Sequence, residues 1–189
     1  MNRLRKTWLW LKRIRYRKGY GVHSPFAFQL ITDVIYQKLP YYAYSLLNKQ
    51  LTLEDKSRIS ELKLLLRLSN YLQPNTVYLF GAEPIDEKYI LAGKSGVKFC
   101  SGKVQCPVDL FFIRGEAVEI IDELSRLKGS IPPYSMMIIE PRFYQIKDFR
   151  RHWKQLRTAE EIRVTFDLYT TYLLFFDKKK NKQDYIVNF

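Results

Sequence analysis

The sequence predicts an α/β protein with a mostly parallel sheet, and three observations predict it. Short apolar, β-favouring runs at 76–80, 108–113 and 135–139 have the length and composition of strands buried on both faces. Amphipathic stretches at helical spacing lie between them, and Gly81, Pro107 and Pro141 punctuate their ends. Further strand-like segments close the chain and read as an antiparallel edge to the sheet.

Residues 2–18 carry Arg3, Arg5, Lys6, Lys12, Arg13, Arg15, Arg17 and Lys18 without an acid. On a helix, Leu4, Trp8, Leu11 and Arg15 share one stripe with Ile14 beside it. Basic amphipathic helices of this kind lie on anionic membranes or against nucleic acid, and Arg3, Arg5, Lys6, Lys12, Arg13 and Arg17 are the candidate contacts. The same pattern also describes an arm packed on the domain through Trp8 and Leu11. Gly19 and Gly21 end this helix, Ser24 can cap the next, and Pro25 suits its first position, so a helix is expected over 25–38. Its buried face is Phe26, Leu30 and Val34, or Ile31 and Ile35. His23 has no paired carboxylate in sequence and reads as a turn residue before it reads as an acid or base.

A tyrosine-rich helix is expected over 41–51. Thr52 and Asp55 have capping-box spacing and open a long helix ending near Leu72, with Ile59, Leu62, Leu65, Leu66 and Leu72 on its core stripe. Pro74 and Asn75 stop it before the strand at 76–80. A short helix at 87–92 and a weak strand at 97–101 follow. After the strand at 108–113 comes a helix over 116–127 packed through Val118, Ile121 and Leu124, then the strand at 135–139 and a basic helix over 144–157. Segments 162–168, 172–176 and 185–189 read as strands, with the charged turn 177–183 joining the last two as a hairpin.

The 189 residues suffice for one domain with its own core, and the net charge of +13 (32 Lys and Arg against 19 Asp and Glu) favours contact with phosphates or anionic surfaces. Cys100 and Cys106 lack the four-ligand pattern of a structural zinc site and are expected to stay reduced. No apolar run approaches the roughly 20 residues that span a bilayer, and no signal peptide is apparent. The expected location is cytoplasmic, with peripheral membrane contact through the basic helix as an option.

Three segments carry a specific resemblance: GYGVHSPFAF at 19–28, LLLRLSNYLQP at 64–74 leading into Gly81, and VDLFFIRG at 108–115. With VTFDLY at 164–169, LLFFDK at 173–178 and KQDYIVNF at 182–189, they resemble a bacterial class I S-adenosylmethionine (SAM)-dependent methyltransferase family. The resemblance implies a Rossmann-like sheet with helices on both faces, a C-terminal antiparallel hairpin and an N-terminal helical extension. The expected organisation is a single domain over 1–189: a basic helix (1–18), a helical extension (19–72) and a reduced Rossmann-like core (73–189).

The family's functional residues do not carry over. An acid two positions before the first glycine helps hold the cofactor's methionine end, and here that position is Leu79. Further glycines after Gly81 would let the cofactor approach, and here Glu83, Pro84 and Ile85 fill the loop. The acid that holds the ribose is replaced by Ser101, and the aspartates of metal-dependent relatives by Arg114 and the pair Glu140 and Pro141. Only residues 102–107 separate the second strand from the next, whereas a parallel crossover with its helix needs at least about a dozen residues. One strand and its flanking helices are therefore missing, and the 97–101 segment is expected to be irregular or even antiparallel.

The reading that follows is a degenerate methyltransferase-like protein without catalytic residues, bound metal or cofactor, acting as a binding or scaffold protein for a protein, nucleic-acid or membrane partner. Gly81, Ala82 and Glu83 are the remnant of the cofactor loop. The alternatives are an active SAM-dependent methyltransferase with an atypical pocket, and a module that binds nucleic acid or an anionic membrane.

Overall fold

The central strands form where the sequence presents two apolar faces. β1 (Thr76–Phe80), β2 (Lys98–Cys100), β3 (Leu110–Gly115), β4 (Met136–Pro141), β5 (Val164–Asp167), β6 (Tyr172–Phe175) and β7 (Gln183–Ile186) make one sheet in the order β2-β1-β3-β4-β6-β5-β7. The structure, a computed structural model, describes Leu11, Arg13, Tyr16 and residues 21–104, 106–142 and 146–189. Arg3, Arg5, Lys6, Lys12 and Arg17 lie outside the described residues, and so does most of the basic helix expected over 1–18.

Alternate residues of each central strand serve opposite cores, as the period of a pleated strand requires. Val77, Leu110, Phe112, Met136, Ile138, Leu173 and Phe175 pack on one face. Tyr78, Phe111, Ile113, Met137, Ile139, Tyr172 and Leu174 pack on the other. The first face is covered by α1 (Pro25–Gln29), a π-helix (Leu30–Ile35), α4 (Ile59–Leu72) and α5 (Pro84–Gly93). The second is covered by α6 (Ala117–Leu127) and α7 (Ile146–Leu156). α2 (Tyr42–Asn48) and α3 (Leu53–Ser57) complete the extension, and α2 joins Leu47 to Leu62, Leu66 and Tyr89 in a satellite core. Gly93 lets α5 lie against α4: a Cβ there would stand 2.3 Å from the Leu66 carbonyl oxygen.

Several boundaries differ from the sequence reading for physical reasons. The helix expected over 25–38 turns into the π-helix at Leu30, so Leu30, Ile31, Val34 and Ile35 are all buried. Buried Arg67 stabilises its end, donating from Nε to the Val34 carbonyl at 2.6 Å and from Nη2 to the Ile35 carbonyl at 3.1 Å. The helix expected to run unbroken to Leu72 divides at Arg58 (φ −119°, ψ 23°), although Thr52 and Asp55 do form the capping box. In α6 the buried residues are Ala117, Ile120, Glu123 and Leu127, while Val118 is exposed and Ile121 and Leu124 are half-buried. The helix is thus rotated from the expected face, because the Glu123 carboxylate turns inward to accept a 2.5 Å hydrogen bond from the Tyr78 hydroxyl.

Two corrections concern the sheet. The hairpin is formed by β5 and β6, with β7 running parallel to β5 on the far edge. β6 cannot pair with β7 because β4 and β5 already occupy both its edges. The turn after Phe176 therefore carries the chain across to the free edge of β5. β2 is regular and parallel to β1, contrary to the irregular or antiparallel segment expected. Residues 101–109 make the return to β3 without a helix among the described residues. Val104 and the Gly102 carbonyl, 3.2 Å from the Tyr78 hydroxyl, hold that link across the second face. Cys100 and Cys106 are free thiols.

Candidate functional site

In open parallel sheets, ligands bind beyond the carboxyl ends of the strands, which here are the ends of β1, β3 and β4. β1 leaves the sheet through Gly81, which has φ +63°. A Cβ at this position would stand 1.8 Å from the Arg114 carbonyl oxygen. Glycine is required because β1 exits against the end of β3, where the close approach is to neighbouring backbone. Ala82 packs against the first core, Glu83 caps α5, and Pro84 occupies its first turn without an N–H. The Glu83 N–H donates to Asp86 Oδ2 at 2.9 Å, and the Asp86 N–H donates to the Glu83 carbonyl at 2.9 Å. The Asp86 carboxylate thus takes up a loop N–H that could meet an anionic ligand.

Five charged side chains fill the space above these strand ends. The strand period turns Arg114 and Glu140, adjacent in register across β3 and β4, toward the face that carries α4 and α5. Arg114 Nη1 contacts Glu83 Oε1 and lies 3.9 Å from Asp86 Oδ2. The break between α3 and α4 aims Arg58 into the same space. Its Nη1 is 2.7 Å from Asp86 Oδ1, and its Nη2 donates to Glu140 Oε2 at 2.6 Å. Asp86 is fully buried, and Arg58, Arg114 and Glu140 are nearly so. Burial pushes the Glu140 carboxyl up to about 7, against the pull of Arg58 and with Asp86 and Glu61 adding to the rise. For Arg58, burial acts to lower the pKa, but the carboxylates of Glu140 and Asp86 outweigh it and the guanidinium is held charged.

Each of these five side chains makes an ion contact within the set, although Arg58 Nη1, Arg114 Nη1 and Asp86 Oδ1 are buried without a hydrogen bond. Leu79, at the position where the resemblance implies an acid, is partly buried against the first core. Ser101 follows the last residue of β2 and is exposed. His23 is exposed in the turn before α1, where Ser24 makes the capping contact, accepting from the Ala27 N–H at 3.4 Å. Among the described residues, no group of three or more His, Cys, Asp and Glu is placed to hold a metal ion. Of the residues singled out in sequence, Gly81, Ala82, Glu83, Arg114 and Glu140 come together. Arg58 joins them unforeseen, its only sequence signal being a charge set beside the apolar stripe that begins at Ile59.

Arg13, a candidate contact for a membrane or nucleic acid, is engaged within the fold. Its Nη2 lies 2.9 and 2.8 Å from the two carboxylate oxygens of Asp167, and its Nη1 donates to the carbonyls of Asp167 and Val187 at 3.1 and 3.3 Å. A cleft of about 630 Å³ opens at the opposite end of the sheet, where Ile121, Leu124, Met137, Phe149, Leu174 and Phe176 form its apolar wall. The rotation of α6 leaves Ile121 and Leu124 facing it. No helix among the described residues is long and apolar enough to cross a membrane.

No family model matches this chain, and no curated protein does. Its fold is similar to the crystal structure of a methyltransferase from Geobacter sulfurreducens, at 11% identity and a TM-score of 0.50, over 75% of this chain and 93% of that one. At such identity the likeness speaks for the fold alone. The chain has a methyltransferase-like fold.

Proposed function

We propose that this chain is a binding or scaffold protein on a methyltransferase-like fold, transfers no methyl group, and resides on the cytoplasmic side of the membrane. The observation that carries the reading is the ionic cluster above β1, β3 and β4, in which Arg58 and Arg114 hold Glu83, Asp86 and Glu140. Gly81, Ala82 and Glu83 are then the remnant of a cofactor loop, with the glycine serving strand packing and the glutamate serving an ion pair. A cofactor carboxylate entering this loop would meet Glu83 and Asp86, while Arg58 and Arg114 are already ion-paired to them. The short 101–109 link adds to this, since among the described residues it supplies no helix to wall an adenine pocket.

Titration calorimetry with SAM and with its demethylated product tests the reading. We expect no binding heat at millimolar ligand, and replacement of Glu83 and Pro84 by glycine should not create any. A micromolar dissociation constant for the unaltered chain would overturn the proposal in favour of an active methyltransferase with an atypical pocket.

A further inference from the structure

The helical extension turns an apolar face away from the protein. In α2, Leu47 is buried and Ala43 and Tyr44 are half-buried against Leu62, Leu66 and Tyr89. On the opposite side, Tyr42 and Leu46 stand one helical turn apart and are 101% and 64% exposed. Leu39, just before the helix, is 70% exposed, and Leu53, at the start of α3, is 87% exposed. Single exposed leucines are ordinary, but this many in one short stretch marks a surface that is covered by something.

The charges beside it say what covers it. Lys38, Lys49 and Lys56 are exposed in the same stretch, against Glu54 as the exposed acid, since Asp55 is buried in its capping box. Lys88 of α5 adds another cation, donating to Gln50 Oε1 at 2.7 Å beside the end of α2. A second copy of the chain docked face to face would set these lysines against their own kind, between molecules of net charge +13. An anionic bilayer satisfies both features: leucine and tyrosine enter the headgroup boundary, while lysine stems lie along it with their ammonium groups on phosphates.

We propose that the outer face of α2, with Tyr42 and Leu46 at its centre, docks on an anionic lipid bilayer. This surface is separate from the Arg13 site, because α2 packs on α4 and α5 whereas Arg13 is bound at β5 and the residues after β7. It is also independent of the cofactor reading, since SAM binding would overturn that proposal and leave this one standing.

The test is flotation of the full chain with vesicles of phosphatidylcholine alone or mixed with phosphatidylglycerol. The chain should float with the mixed vesicles, less so as salt is raised. Tyr42→Ser with Leu46→Ser should weaken partition by about tenfold or more, with no fall in melting temperature because both side chains are exposed. Lys49→Glu with Lys88→Glu should also weaken it. The control Lys178→Glu with Lys179→Glu, in the turn before β7, carries the same change in net charge and should alter partition by less than about threefold, below the roughly fivefold share of one basic residue at the lipid surface. A chain that ignores the mixed vesicles, or a Tyr42/Leu46 variant that partitions like the parent, overturns the proposal. So does a solution dimer that the same variant dissolves, which would make the face a protein interface.

Discussion

Glu140 is the residue on which the ionic cluster depends, because it is buried beside Arg58 with Asp86 and Glu61 pressing on the same charge. Folded, its carboxyl keeps a proton up to about pH 7, whereas unfolded it releases it near pH ~4.3. The folded chain therefore binds the extra proton between these values, and the residue's contribution lowers stability as pH rises through that window. Glu140→Gln should remove this slope: relative to the parent, the variant gains on the order of 1–3 kcal/mol between pH 5 and pH 8. Urea denaturation of both proteins at the two pH values measures it, and an equal difference at both would refute the assignment. Little of this cluster was legible in sequence. Glu83, Arg114 and Glu140 stood out only as departures from a resemblance, and Arg58 reaches a partner 82 positions away that no local pattern names.

Elements were legible where periodicity is strong and partners are unimportant. β1, β3 and β4 follow from apolar runs, and the capping box at Thr52 and Asp55 follows from spacing alone. Pairing was not legible, since alternation shows that a strand exists without showing which edge it joins. That is why the last two strands read as a hairpin although β7 belongs beside β5. The rotation of α6 was hidden for a related reason: an inward glutamate looks polar until Tyr78 and Arg126 are beside it. β7 is a terminal element with a structural duty. Tyr185 stacks on Phe166 at 5.1 Å, Val187 is buried, and the Val187 N–H donates to the Asp167 carbonyl at 3.0 Å. Deleting residues 184–189 uncovers the β5 edge and this apolar surface, so the truncated chain should be insoluble or melt several degrees lower. A soluble truncation with the parent's melting temperature would show that the tail is dispensable.

Across the whole molecule, the two ends of the chain are joined, and Arg13 is the joint. Its guanidinium grips Asp167 with both side chains almost out of solvent, while the Tyr16 carbonyl accepts from the Asn188 N–H at 3.2 Å. Tyr169, in the turn between β5 and β6, lies against both Arg13 and Arg150, whose guanidinium carbons are 5.3 and 4.6 Å from its ring centre. A cation that sequence assigns to an external partner is thus spent within the fold, because its acid lies 154 positions further on. Among the described residues, removing Arg13 leaves the Asp167 carboxylate with the Tyr169 N–H at 2.8 Å and the more distant Arg150, 3.8 Å away, so it stays buried with weaker compensation. A double-mutant cycle of Arg13→Ala and Asp167→Ala, followed by chemical denaturation, should give a coupling of about 1–3 kcal/mol. The double variant should then be hardly less stable than Arg13→Ala alone, since the second substitution removes the charge that the first left uncompensated. Additive losses would mean that the ends are held by packing, and that Arg13 is available to the anionic partners its sequence suggests.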